Sequence, residues 1–91
     1  MKTYPSASLT SGTTQVGQGN AVYYGYTVTV TTATGPINIR KNSASGQIID
    51  VIPATTAAGA NRSLSYGTAC DGGIFVEFNG GATGTVVINY E

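Results

Sequence analysis

The chain closes on GGIFVEFNGGATGTVVINYE, Gly72 to Glu91, and its fold class turns on how this segment is understood. Ile74, Val76 and Phe78 alternate with Phe75 and Glu77, and Val86, Ile88 and Tyr90 alternate with Val87 and Asn89. Period-two alternation marks half-buried strands, because successive side chains point to opposite faces. The glycine-rich bend between them supplies the positive-φ positions of a tight turn, so the segment is expected to be one β-hairpin. Ile74, Val76 and Phe78 then face a core opposite Tyr90, Ile88 and Val86, and Phe75 falls diagonal to Val87 on the outer face.

GPINIRKNSASGQIIDVI, Gly35 to Ile52, repeats that layout: glycine, a short strand, asparagine at the bend, glycine at its end, then a second strand. Either all hairpins share this pattern, or the two are equivalent hairpins on opposite sheets of a sandwich or jelly roll. Pairing Ile37 and Ile39 with Val51 and Ile49 leaves Ile48 and Ile52 outside, with Arg40 diagonal to Asp50 in a weak surface ion pair. Ile48, Ile52, Phe75 and Val87 are therefore the candidate protein–protein contacts, since contiguous exposed apolar patches mark contact surfaces. The alternative is that the sheets are covered within the domain, for instance by the N-terminal arm.

AVYYGYTVTVTT, Ala21 to Thr32, is the longest alternating run. Val22, Tyr24, Tyr26, Val28 and Val30 share one parity, which places them on the core and leaves Tyr23 free as a candidate glycan contact. Pro36 and Pro53 bound strands, ATTAAGAN is a loop of small residues, and RSLSY is a further short strand. Residues 1–20 form a polar arm with one or two short edge strands. No segment has the 3.6-residue apolar period of a helix. The expectation is an all-β chain: a polar arm over 1–20, then a compact antiparallel β-sandwich or jelly-roll-like domain over 21–91, about seven strands in all and no significant helix.

Composition narrows the function. Charged residues are 9% of the 91 and the net charge is zero, so the basic face that nucleic-acid binding needs is not expected. The apolar runs are far shorter than the ~20 residues of a membrane span, and MKTYPSASLTSG has no apolar region of the kind a secretory signal peptide contains. With no histidine and one cysteine, Cys70, neither a nucleophile held against a base nor a zinc cluster is expected. Asp71, before Gly72-Gly73, is a turn former, and Glu77 lies on a solvated strand face. No enzyme activity, metal or other cofactor is expected. One small core and no intrachain disulfide make a partner or self-association the expected source of added stability.

Ile52-Pro53-Ala54-Thr55, Gly73-Ile74-Phe75-Val76-Glu77 and Val86-Val87-Ile88-Asn89-Tyr90 follow one another through a small-residue loop and a Gly/Ala-rich bend. In this the second half of the chain resembles small β-rich structural proteins of tailed bacteriophages. The resemblance implies a virion component assembled in the host cytoplasm, a capsid decoration or cement protein that binds and stabilises the assembled shell. It implies the major capsid protein or other virion proteins as partners, and a homo-oligomer, with a trimer favoured. A neck, tail or head-fibre part, or a carbohydrate or host-surface binding module using Tyr23, is the alternative.

Overall fold

Runs of β-branched and aromatic residues separated by glycine, proline and asparagine form strands throughout the residues described, 6–17 and 19–91 of a computed structural model. The strands are β1 (Ser6–Leu9), β2 (Thr13–Val16), β3 (Ala21–Ala33), β4 (Ile37–Lys41), β5 (Ile48–Ile52), β6 (Asn61–Cys70), β7 (Ile74–Phe78) and β8 (Thr83–Tyr90). The only helical element among them is a single 3-10 turn at Asn79–Gly81. The protein is an all-β sandwich. The eight strands of the described residues agree with the expected count of about seven, the polar arm contributing both β1 and β2.

β1 pairs with β8, β2 with β7, β3 with β6 and β4 with β5, all antiparallel. Contacts of β3 with β8 and of β4 with β7 join these pairs into two four-stranded sheets, β1–β8–β3–β6 and β2–β7–β4–β5. Each pair joins strands equally far from the two ends of the chain, as when one long antiparallel ribbon is rolled into a sandwich. That is the jelly-roll order.

This topology overturns the expected closing hairpin. β7 and β8 lie in opposite sheets, so Gly72 to Glu91 forms an arch across the core. The side chains expected inside do lie inside: Ile74, Val76, Val86 and Ile88 are fully buried, and Phe78 and Tyr90 pack against them. The parity survives because both strands face the same core from opposite sides. The arch packs on the neighbouring β3–β4 connection, where Asn79 N–H donates to Pro36 O at 3.0 Å. Gly35 is required there, because a Cβ would stand 1.9 Å from Asn79 O.

β4 and β5 do form a hairpin, but one residue out of the expected register: Ile37 faces Ile52 and Ile39 faces Asp50. A one-residue slip exchanges the two faces of a strand. Ile52 is consequently in the core, a correction to its expected exposure, while Val51 turns outward. A bulge at Ile49 restores the original parity one step further on, so Ile48 remains exposed beside Arg40.

β3 breaks its own alternation in the same way. Tyr23 pairs with Tyr90 and Gly25 with Asn89, so two steps on β3 match one on β8. This bulge puts Tyr23 and Tyr26 on the core side and carries Tyr24 out of it. Gly25 occupies it with φ 125°, and a Cβ there would lie 1.9 Å from Arg62 O. Beyond β3's pairing with β6, which ends at Thr27, the small-residue loop lies against its free edge through Gly59 N–H to Val28 O and Thr32 N–H to Thr56 O.

Candidate functional site

The four expected contact residues occupy three different places. Ile52 is in the core. Phe75 and Ile48 share the outer face of the β2–β7–β4–β5 sheet, and Val87 lies on the outer face of the other sheet. Phe75 and Val87 are therefore no diagonal pair; the whole sandwich separates them.

Cross-strand register organises the outer face of β2–β7–β4–β5 into two rows. One runs Gln15, Phe75, Arg40, Ile48, and the next runs Thr13, Glu77, Asn38, Val51. Ile48 and Val51 are each 41% exposed and Phe75 is half-buried. Between these apolar groups, Glu77 Oε1 accepts from Asn38 Nδ2 at 3.1 Å and from Arg40 Nη2 at 3.4 Å. Arg40 Nη1 donates to Gly46 O at 2.8 Å, which anchors the guanidinium to the hairpin loop. Glu77 is thus a hub between strands, not simply a solvated carboxylate. The Arg40–Glu77 pair is partly exposed and contributes about 0–1 kcal/mol. It leaves the face without an uncompensated charge.

Asp50 is not the partner of Arg40. It is buried on the core side, where Tyr23 Oη donates to its Oδ2 at 2.8 Å and Arg62 Nε lies 3.4 Å from the same oxygen. Its Oδ1 accepts from Val51 N–H at 2.9 Å. The cluster ties β3 and β6 of one sheet to β5 of the other. Burial, reinforced by donation to the carboxylate, holds the Tyr23 phenol protonated far above its ordinary range. Tyr23 is fully buried, which corrects its assignment as a glycan contact: the bulge at Gly25 reverses the parity on which that assignment rests.

Cys70 is a free, fully buried thiol whose pKa is raised first by burial. A thiol pushed up in this way is a poor nucleophile at neutral pH. Asp71 is exposed, and its carbonyl accepts from Asn20 N–H at 2.8 Å between two loops. Among the described residues no three of His, Cys, Asp and Glu come together as a metal site.

Three exposed residues were not legible from alternation. Val51 was misplaced by the register slip; Val30, expected on the core side, is 54% exposed because a register shift separates it from buried Val28 on β3; and Tyr66, 94% exposed, lies on a four-residue excursion of β6 between the Tyr23–Thr68 and Gly25–Ser63 pairings. The Gly67 that follows, at φ 70°, is the signal that could have marked that excursion. Comparison of the chain with protein-family models, with curated proteins and with solved structures finds no match.

Proposed function

We propose that this chain is a structural protein of a bacteriophage virion, a decoration or cement protein that binds the assembled shell and stabilises it. The observation that carries the reading is the outer face of the β2–β7–β4–β5 sheet, where Ile48, Val51 and Phe75 flank an Arg40–Glu77 pair that is already neutralised. Such a face can be covered by the major capsid protein without stranding a charge, and its apolar groups gain from leaving water. The jelly roll serves many functions and does not choose among them; the support comes from the face and from the bacteriophage-like motifs. In this role the chain is non-catalytic and acts by mass action: binding only the assembled shell lowers its free energy relative to the dissociated subunits.

The test counts copies of this chain against the shell protein in purified particles, then measures binding of Phe75→Asp and Ile48→Asp chains to particles stripped of it. Near-equal abundance is expected, with each substitution weakening binding roughly tenfold or more and leaving the unfolding temperature close to the parent's. A few copies per particle would make the chain a neck, tail or fibre part. Absence from particles overturns the virion reading.

Tyr66 supports a second reading, a glycan or host-surface module, because a tyrosine 94% exposed offers a free stacking surface. Glycan binding lost in Tyr66→Ala would favour it.

A further inference from the structure

We infer that the outer face of the β1–β8–β3–β6 sheet is covered in solution by a second copy of this chain, the two copies related by a two-fold axis. On this face Val87 stands opposite Thr27, Asn89 opposite Gly25 and Ala69 opposite Val22, with Tyr24 carried out beside them by the bulge. None of these residues is charged. The charges of the described residues lie elsewhere: Arg40 and Glu77 on the opposite outer face, Asp50 and Arg62 in the inter-sheet cluster, and Lys41, Asp71 and Glu91 at or beyond strand ends.

The missing charge selects the occupant. A partner of different sequence can meet a charge with its opposite, but across a two-fold axis a central charge meets its own copy. Freedom from charge at the centre of a face is therefore the stricter requirement of self-contact. Val87 is at that centre, midway along β8, which with β3 forms the middle of the sheet. The net charge of zero removes long-range repulsion between copies.

Size and edges agree. The molecule is a slab of 31 × 31 × 16 Å, so a broad face is of the order of the ~800 Å² that each partner gives to a standard interface. Association through sheet edges is blocked at all four. Among the described residues β1 and β2 each run four residues, Asp50 Oδ1 occupies Val51 N–H on β5, and the Leu64–Gly67 excursion interrupts β6. Short, interrupted or side-chain-capped edges prevent strand addition, which leaves the faces.

The test is sedimentation equilibrium of the intact chain and of Val87→Lys and Val87→Asp, with thermal unfolding recorded for each. The parent is expected at the mass of two 9.2 kDa chains. Each variant alone should associate roughly tenfold or more weakly, since like charges then meet across the axis. An equimolar mixture of the two should recover the dimer, which a merely damaged fold would not do. Thr27→Lys and Thr27→Asp, at the cross-strand position, replace this pair if either Val87 variant unfolds. Phe75→Asp, on the opposite face, should leave self-association unchanged, so this test and the particle-binding test fail independently. A parent chain that stays monomeric, a trimer, or a dimer that persists in both charge variants overturns the inference.

Discussion

Replacing Tyr23 with phenylalanine removes one oxygen from the centre of the sandwich and nothing from its shape. The lost group donates to Asp50 Oδ2 at 2.8 Å, and both residues are buried. A hydrogen bond to a charged acceptor contributes about 1.5–3 kcal/mol net. Asp50 keeps Val51 N–H at 2.9 Å, but Arg62 stands 3.4 Å away with its side chain 55% exposed. Water screens so exposed a cation, and it cannot replace the phenol. We expect Tyr23→Phe to cost about 2 kcal/mol, which for a domain of this size lowers Tm by roughly 8–16 °C. Circular dichroism melts and urea titrations measure this, with the urea midpoint falling and the slope unchanged. A double-mutant cycle with Asp50→Asn should return a coupling energy of about 1–2 kcal/mol. A Tm within about 2 °C of the parent's would refute the cluster, because a surface tyrosine, as uninterrupted alternation along β3 would make it, costs within about 0.5 kcal/mol when trimmed.

Alkaline pH probes the same residue. Burial first, then the Asp50 carboxylate, raises the Tyr23 and Tyr26 phenols, and burial raises the Cys70 thiol. Groups raised in the folded state contribute stability that is complete below their unfolded pKa values and is lost as pH climbs past them, about 8.5 for the thiol and about 10 for the phenols. Tm should therefore fall above those values, and less steeply in Tyr23→Phe, which lacks about 1.4 kcal/mol per pH unit of that loss; equal slopes would count against the buried phenol. Ile52→Ala should cost about 2–5 kcal/mol and Ile48→Ala less than about 1 kcal/mol, and a reversed order in urea titrations would show that the β4–β5 register is wrong. Gly25→Ala forces a Cβ against Arg62 O at positive φ and should cost about 3 kcal/mol; a loss below about 1 kcal/mol would rule out the bulge.

Alternation was enough to identify strands and, in the second half of the chain, their buried faces: Ile74, Val76, Val86 and Ile88 are where period two puts them. It misplaced Tyr23 although a signal was present. A lone glycine inside a strand marks a bulge or a close backbone approach, and Gly25 is both. Ile52 carried no such mark, because its face depends on whether Ile37 meets Val51 or Ile52, and both are apolar and β-branched. Phe75 and Ile48 were rightly placed outside, while Val51 became visible only once the register was known.

Side-chain parity is a property of neighbouring residues, so composition and period sufficed for an all-β sandwich with a glycine-punctuated chain. Pairing is a property of distant segments. Glycine-rich bends permit a hairpin or an arch equally well, and backbone hydrogen bonds are the same whichever strand supplies them. The tertiary pairing puts β7 and β8 in opposite sheets, β7 flanked by β2 and β4, and β8 by β1 and β3. That choice placed Phe75 and Val87 on opposite faces, and with it separated the surface assigned to the shell from the one assigned to a second copy.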